Sequence, residues 1–158
     1  MTDSLQVAMR RWASGVTIVT TQHNGQRHGM TVSSFTSVSL QPPIVLICID
    51  RSTRTHDLVL ESGRFAICFL RHDQRELSDR FAGRIPGIKD RFEGIELETT
   101  ASGLSVPAGC LATLDCSVVA SHMPGQSTVF MAEVRSVTLG PEGQPLLYYN
   151  QDYRSLEE

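Results

Sequence analysis

Small hydroxyl residues dominate one short segment in the first quarter of the chain. Ser and Thr occupy six of the nine positions from 31 to 39. Strand alternation would place Thr31 and Ser33 on one face, and the Ser33-Ser34 pair interrupts that alternation. Small side chains let a ligand approach the backbone closely and leave N–H and C=O groups free to bind a flat polar group. An ordinary exposed strand rich in Thr and Ser is an equally good interpretation.

A second segment, residues 50–56, combines hydroxyl and guanidinium groups at a predicted helix start. It reads Asp-Arg-Ser-Thr-Arg-Thr-His and directly follows an apolar strand. Three hydroxyls, two arginines and the free N–H groups of a helix start suit a dianionic phosphate. A capped helix with solvated arginines is the alternative, although capping requires only one hydroxyl. We therefore favour an anion site at this position.

A third segment, residues 81–84, reads Phe-Ala-Gly-Arg and ends the next predicted helix, with Arg91 and Phe92 farther along the chain. By itself this is a helix C-terminus, and a structural role is favoured. It becomes relevant to binding only beside a phosphate site, because the tail of a nucleotide needs an apolar and basic surface. Neither a G-x-G-x-x-G motif nor a P-loop occurs, which excludes the usual dinucleotide-binding motifs.

The remaining reactive side chains do not have the spacing of a catalytic or metal centre. The five histidines are scattered, and none has a Ser or Cys partner at a recognised spacing. The four cysteines occur singly, without a C-x-x-C pair, so we predict no zinc site. They are interpreted as small hydrophobic residues in the strands of a reduced protein. No catalytic side chain is therefore predicted, which suggests that a bound cofactor performs the reaction.

Length and composition describe one soluble globular domain spanning residues 1–158, with 41% apolar and 20% charged residues. The net charge of -3 argues against nucleic acid or an anionic membrane as the main partner, because both need a basic surface. The N-terminus lacks the apolar region of a secretory signal. The longest apolar stretch, residues 42–49, is shorter than the ~20 residues of a membrane span. We therefore expect a cytoplasmic protein.

Strands are the main elements that must position these segments. Predicted strands cover residues 16–21, 27–32, 35–40, 44–49, 64–70, 109–120, 128–139 and 145–149. Asn24-Gly25 predicts a two-residue hairpin turn between the first two. The continuously apolar run 44–49 predicts a central strand buried on both faces. Residues 84–105 contain Gly and Pro without clear periodicity and predict a loop-rich excursion.

Three short helices complete the predicted secondary structure. They are a helix from Asp3 to Gly15, a helix over residues 53–61 capped by Ser52, and a helix from Asp73 to Phe81 with a capping-box start. Strands outnumber helices, and no βαβ pattern recurs along the chain. The sequence therefore predicts a mainly antiparallel β-barrel with helices at its ends.

Four motifs occur in the order of a known family. They are RWASGV at residues 11–16, GMTVSSF at 29–35, Pro42-Pro43 before an apolar strand that ends in DRST at 50–53, and FAG at 81–83. In that order they resemble the flavin reductase-like family, the small reductase components of two-component flavin monooxygenases. The resemblance extends from about residue 8 to Tyr153 and so covers nearly the whole chain.

The resemblance implies a mainly β fold, the FMN-binding split β-barrel with a Greek-key core and short peripheral helices. It also implies a homodimer with FMN or FAD near the subunit interface. The isoalloxazine would lie against Met30, Thr31, Val32, Ser33 and Ser34 and against Cys48, Ile49 and Asp50. The phosphate would meet Ser33 or Ser34 together with Arg51, Ser52 and Thr55. Phe81, Ala82 and Gly83 would lie along the phosphate or adenylate side.

One departure from the family pattern concerns the hydride donor. Many members carry Gly-Asp-His where this sequence reads Gly125-Gln126-Ser127, and that His is associated with nicotinamide binding. Ser127 therefore occupies the position of the family histidine, and the nearby His122 is a second candidate for nicotinamide contact. Because hydride transfer depends on positioning, the replacement bears on nicotinamide affinity more than on flavin affinity.

The expected function is that of an NAD(P)H:flavin oxidoreductase. NADH or NADPH would reduce the bound FMN or FAD, and the reduced flavin would leave for a separate oxygenase. A second hypothesis is a flavoprotein of the same barrel whose flavin stays bound and acts on another small molecule. A third is a non-catalytic flavin carrier, which would bind flavin without turnover.

Overall fold

A computed structural model describes residues 1–156 and shows a mainly β protein with three short helices, as predicted. The helices are α1 (Thr2–Arg10), α2 (Arg54–Ser62) and α3 (Arg75–Phe81). The strands are β1 (Ser14–Gly15), β2 (Thr17–His23), β3 (Gln26–Val32), β4 (Thr36–Leu40), β5 (Pro43–Asp50), β6 (Arg64–Phe69), β7 (Leu97–Thr99), β8 (Ser105–Pro107), β9 (Ala112–His122), β10 (Ser127–Leu139), β11 (Leu147–Tyr149) and β12 (Asp152–Arg154). None of the helices within residues 1–156 has the length and apolar character needed to cross a membrane.

Seven strands form one antiparallel sheet in the order β3-β2-β6-β9-β10-β5-β4. Its two edge strands, β3 and β4, are consecutive in the chain and are joined by residues 33–35 alone. The edges of a flat seven-stranded sheet would lie about 29 Å apart, six strand spacings of about 4.8 Å. Residues 32 and 36 can be separated by at most about 14 Å, four steps of extended chain. The sheet is therefore curled, and its two edges approach each other at this end.

The curled sheet encloses the main hydrophobic core. Six of its strands and α2 contribute to one cluster of buried side chains. Its members are Val19, Val32, Val45, Ile47, Ile49, Val59, Phe65, Ile67, Leu114, Cys116, Phe130 and Ala132. A second cluster packs β2 and β6 against α3 and the segment before β9, and includes Ile18, Cys68, Phe81, Phe92, Leu104 and Leu146. All four cysteines carry free thiols, and three of them are buried.

The hairpin between β2 and β3 agrees with the sequence prediction. Asn24 and Gly25 both have positive φ, at 49° and 75°. Two successive positive φ values are those of a type I′ turn, which matches the twist of the paired strands. His23 pairs with Gln26 directly across it.

The helix boundaries differ from the predicted ones. The first helix ends at Arg10, because Ser14 and Gly15 pair with Tyr148 and Leu147 in a small separate sheet. Thr53 rather than Ser52 caps α2, accepting a hydrogen bond from the His56 N–H. At α3 the predicted capping box was wrong: Gln74 is the N-cap residue, and its side chain makes no capping hydrogen bond to the helix. The carboxylate of Asp73 instead accepts two hydrogen bonds from Arg71.

Two strand predictions also need correction. The predicted loop excursion contains strand β7 and the start of β8, and the last strand, β12, was not predicted. The run predicted as a central strand buried on both faces is β5, which lies next to the edge strand β4. Along β5, the residues Val45, Ile47 and Ile49 are buried and those between them are only half-buried. A side of β5 that is apolar in sequence therefore faces outward from the curled sheet.

Candidate functional site

The link between the two sheet edges lies beside three cavities. They have volumes of about 150, 400 and 740 Å³, and Ser33 lines all three. Ser33 is exposed and follows the last residue of β3, so its hydroxyl and backbone groups are outside the strand ladder. The two larger cavities also share Trp12, which lies between α1 and β1. The predicted hydroxyl-rich segment therefore borders three neighbouring cavities.

The hydroxyl-rich first segment contacts β5, the strand that leads into the second segment, residues 50–56. The Ser34 hydroxyl donates a hydrogen bond of 2.7 Å to the Cys48 carbonyl. The same hydroxyl accepts one of 3.0 Å from the Cys48 N–H. Cys48 is half-buried and lies two residues before Asp50. Ser34 thereby joins the edge link to β5 and fixes where the helix-start segment begins.

The first segment also contacts α3, which leads into the third. The Thr31 hydroxyl donates a hydrogen bond of 2.6 Å to the Ser78 carbonyl. Between these two elements lies the 150 Å³ cavity, lined by Val16, Thr31, Ser33, Ser78, Ala82, Arg84, Tyr148 and Tyr153. The structure therefore brings the first and third segments together around one cavity, and the first also contacts the strand that leads into the second.

Two tyrosines that the sequence analysis missed cover this cavity. The Tyr153 hydroxyl lies 2.8 Å from Ser78 Oγ and 2.6 Å from a carboxylate oxygen of Asp79. Burial and the hydrogen bond to Asp79 raise the pKa of Tyr153, so its phenol stays neutral. Arg84 donates to the hydroxyl of Tyr148 at 3.3 Å. Both tyrosines come from the final strands, and no local pattern connects them with residues 31–33.

In the second segment, the donors of Ser52 are engaged within the turn. The Asp50 carboxylate accepts hydrogen bonds from the Ser52 N–H at 2.8 Å and from its hydroxyl at 2.6 Å. These hydrogen bonds lower the pKa of Asp50, which is therefore ionised at neutral pH. Thr53 donates its hydroxyl to the Asp50 carbonyl at 2.8 Å. The exposed guanidinium of Arg51 is the group of this turn best placed to meet an external anion.

Thr55 lies deeper than the other residues of that segment. It is fully buried, and its hydroxyl lies 2.8 Å from Nδ1 of His28. Burial, followed by the charges of Arg91 and Arg54, lowers the pKa of His28 to about 4. The side chains of Val32, Ile49 and Phe81 are also buried, within the two core clusters. Any contact of these four residues with a ligand would involve their backbone.

The two nicotinamide candidates lie on the hairpin between β9 and β10. Ser127 pairs with Asp50, and His122 pairs with Val129 and is exposed. The turn itself touches the second segment, since the Gln126 carbonyl accepts a hydrogen bond from the Arg51 N–H at 3.0 Å. The replaced family motif therefore adjoins the predicted anion site. Within residues 1–156, no three side chains suited to metal binding converge.

Residues 9–157 match the family described as "Flavin reductase like domain". The chain is 38% identical over 156 residues to the NADH-dependent flavin reductase of a Rhodococcus species, an alignment that covers 97% of this chain and 85% of that protein. It is 34% identical over 156 residues to the reductase component of the Thermus thermophilus 4-hydroxyphenylacetate 3-monooxygenase, covering 99% and 97% of the two chains.

Solved structures agree with the sequence comparison. The Streptomyces globisporus C-1027 NADH:FAD oxidoreductase SgcE6, in complex with NAD and FAD fragments, superposes with a TM-score of 0.90 at 30% identity. The alignment covers 99% of this chain and 94% of that one. With a match over nearly its full length, this chain belongs to the flavin reductase-like domain family.

Proposed function

We propose that this protein is an NADH-dependent flavin reductase that supplies reduced FMN or FAD to a separate monooxygenase. The observation that carries the proposal is the position of Ser33, which lines all three cavities beside the link between β3 and β4. The relatives support NADH as the hydride donor, because one of them is named as an NADH-dependent flavin reductase. They also support delivery of reduced flavin to a monooxygenase, because another is named as a monooxygenase reductase component.

The residues around the link fit a flavin by their chemistry. The 400 Å³ cavity has apolar and aromatic walls that include Trp12, Phe35 and Phe69, which suit a flat ring. Ser33 and its backbone supply polar groups at one edge of that cavity. Arg51 supplies an exposed guanidinium for a phosphate. Met30–Ser34, Cys48–Asp50, Arg51, Ser52 and Thr55 would hold the ring and phosphate, and Phe81–Gly83 would lie along the tail.

A bound flavin would accept a hydride from the nicotinamide and carry the two electrons onward. The protein's own residues would bind and orient both partners and exclude water from the ring. Asp50 is ionised and accepts a hydrogen bond from the Ser52 hydroxyl, so it has no proton to donate at neutral pH. His28 is neutral and hydrogen-bonded to a buried threonine. We therefore assign no catalytic acid or base.

The nicotinamide would approach over the β9–β10 hairpin. Ser127 is half-buried beside Asp50, and His122 is exposed across from Val129. A hydroxyl at residue 127 can hydrogen-bond to a carboxamide, although it cannot stack as an imidazole can. We propose Ser127 and His122 as nicotinamide contacts.

A split β-barrel homodimer is the assembly that we propose. The short link between β3 and β4 supports a barrel that closes at one end. On the outward side of β5 and β10 lie the half-buried apolar residues Ile44, Leu46, Val129 and Met131, with Leu46 paired to Met131 and Ile44 paired to Glu133. In addition, α1 has no buried residue despite its apolar side chains. A second copy covering both surfaces would remove this apolar area from water.

The cysteines and the net charge support a proposal for the cellular compartment and for the binding partners. Four free cysteines without a disulfide suit a reducing compartment, and we propose a cytoplasmic location for a single-domain protein. The net charge of -3 does not suit nucleic acid or an anionic membrane. The proposed partners are therefore a flavin, a nicotinamide nucleotide, a second copy and an oxygenase.

Flavin-dependent oxidation of NADH tests this function. Purified protein is mixed with NADH and with FMN or FAD, and the absorbance of the reduced nicotinamide is followed. We expect loss of absorbance only when protein, NADH and flavin are all present. Binding of flavin without turnover would contradict the reductase and support the carrier. Retention of colour through dialysis, together with turnover of another small molecule, would support the flavoprotein with a tightly bound cofactor.

A further inference from the structure

Residues 90–92 contact both the end of α3 and the edge strand β3. Asp90 accepts a hydrogen bond of 3.2 Å from Arg27, whose guanidinium lies 4.7 Å from the centre of the Phe92 ring. Phe92 is buried and meets Phe81 edge-on, with ring centres 5.1 Å apart. These contacts hold the residue between them, Arg91, close to both elements.

The Arg91 guanidinium joins two backbone segments that no strand ladder connects. Its Nη1 donates to the Gly29 carbonyl at 2.8 Å and to the Phe81 carbonyl at 2.9 Å. Gly29 immediately precedes the predicted cofactor residues of β3, and Phe81 begins those at the end of α3. A charged donor to a partly buried carbonyl forms one of the stronger protein hydrogen bonds. One side chain thus sets the separation between the two segments.

Two glycines provide the space for this contact. A Cβ atom at Gly29 would lie 2.9 Å from Cε1 of Phe81, so the ring packs directly on the strand backbone. A Cβ atom at Gly83 would lie 2.9 Å from Nη2 of Arg91. The guanidinium therefore occupies the volume that a side chain at residue 83 would fill. The aromatic ring and the guanidinium each pack against a glycine.

We propose that Arg91 is a positioning residue for flavin binding. It lines none of the three cavities around Ser33, so it acts on the site through other residues. By holding β3 at the end of α3, it keeps Thr31 and Ser33 at the correct distance from Ala82 across the 150 Å³ cavity. Such supporting contacts determine how precisely a site is formed. This inference rests on the proposed flavin function.

The test compares the binding of FMN and riboflavin, which lacks the phosphate, by wild type and variants. Arg91→Met removes the donors and keeps the aliphatic length, and Arg91→Lys keeps the charge. Arg64→Met is the matched control, because Arg64 also donates to a backbone carbonyl, that of Ser102, far along the chain from these segments. KM for NADH and kcat at saturating FMN are measured in parallel.

We expect Arg91→Met to raise the dissociation constants of FMN and riboflavin by the same factor, about tenfold. Arg91→Lys should raise both about threefold, and Arg64→Met should leave both unchanged. KM for NADH and kcat at saturating FMN should stay within about twofold of wild type, because the flavin site alone is affected. If Arg91→Met does not fold, the flavin dissociation constants of Arg91→Lys test the inference.

Three results would overturn the inference. They are flavin affinities in both Arg91 variants equal to wild type, a loss confined to FMN, and an equal loss in Arg64→Met. A loss confined to FMN would mean that Arg91 acts on the phosphate alone and not on the position of β3, and an equal loss in the control would indicate general destabilisation. A wild-type protein that binds no flavin would instead contradict the proposed function.

Discussion

Asp50 determines which groups of the helix-start turn can meet an anion. Its carboxylate takes both the N–H and the hydroxyl of Ser52. Thr53 donates its hydroxyl to the Asp50 carbonyl, and Thr55 is buried against His28. Of the three hydroxyls that made this segment resemble a phosphate site, none is free in the structure. Charge from Arg51 is therefore expected to outweigh hydroxyl hydrogen bonds in binding a phosphate.

Separate substitutions of Arg51 and Ser52 test whether the Arg51 charge contributes more to phosphate binding than the Ser52 hydroxyl does. Arg51→Ala should weaken FMN about tenfold and leave riboflavin unchanged, since only FMN carries the phosphate. Ser52→Ala should change FMN affinity by less than about threefold, because the lost hydroxyl donates its hydrogen bond to Asp50 rather than to a ligand. Arg135→Ala, which removes an exposed arginine paired with Glu133, is the control. Titration calorimetry with both ligands gives the comparison, and an equal loss for FMN and riboflavin in Arg51→Ala would refute the anion assignment.

His28 links folding stability to pH. Its pKa is lowered to about 4 from the usual 6.5 of histidine, first by burial and then by the charges of Arg91 and Arg54. Above pH 6.5 the ring is neutral in both the folded and unfolded states and contributes no pH dependence. As pH falls from 6.5 towards 4, the unfolded chain binds the proton first, so the free energy of unfolding decreases.

His28→Asn removes this titration and keeps a polar group near Thr55. Wild type should lose about 1 kcal/mol more than the variant between pH 7 and pH 4.5, a modest value because the ring is half-exposed to solvent. Urea unfolding of both proteins at the two pH values measures the difference. The same pH dependence in both proteins would show that His28 does not control it.

At the scale of elements, the contact between β3 and α3 borders the 150 Å³ cavity and has no signal in the local sequence. The run of β-branched residues at 16–21 and the Asn24-Gly25 turn predict β2 and β3, because both features act between near neighbours in the chain. The packing of α3 on β3 depends on Thr31, Phe81 and the close approach at Gly29. Nothing in the local sequence around Gly29 indicates that an aromatic ring 52 positions later (81 minus 29) will cover it.

Gly29→Ala tests this packing. The added methyl group would lie 2.9 Å from the Phe81 ring and 3.1 Å from the Val19 carbonyl, so the ring or the strand must move. We expect a loss of about 1–3 kcal/mol in the free energy of unfolding. Gly15→Ala is the matched control, since a Cβ there meets nothing within 4 Å. Equal stability of the two variants in urea unfolding would contradict the proposed close packing.

At the scale of the whole molecule, the outer face of β5 and β10 is the surface on which the proposed dimer rests. The sequence of β5 is apolar on both sides, yet only Val45, Ile47 and Ile49 face the core of a single chain. Leu46 faces outward beside Met131, in a sheet whose neighbouring residues are also half-buried. The predicted burial of both faces is thus absent within one chain, and the proposed second copy would complete it.

Leu46→Glu should dissociate the proposed dimer, because it places a charge at the centre of this surface. Light scattering should give the mass of two chains for wild type and of one chain for the variant, with circular dichroism confirming the fold. Leu97→Glu, which changes an exposed leucine on β7, should remain dimeric. A monomeric wild type, or an undiminished mass in Leu46→Glu, would contradict the proposed interface.

Local patterns in the sequence were sufficient to predict a mainly β chain and the hairpin at residues 24–25. The three candidate cofactor segments were drawn from the same kind of local pattern and stay a prediction. Those features depend on residues that are neighbours in the chain. Which donors remain free depends on partners far away, as with Thr55 and His28. Tertiary packing brings Tyr153 to Ser78 and Arg91 to Gly29, contacts that span 75 and 62 positions. Only the tertiary structure could decide them, because each depends on how distant elements pack.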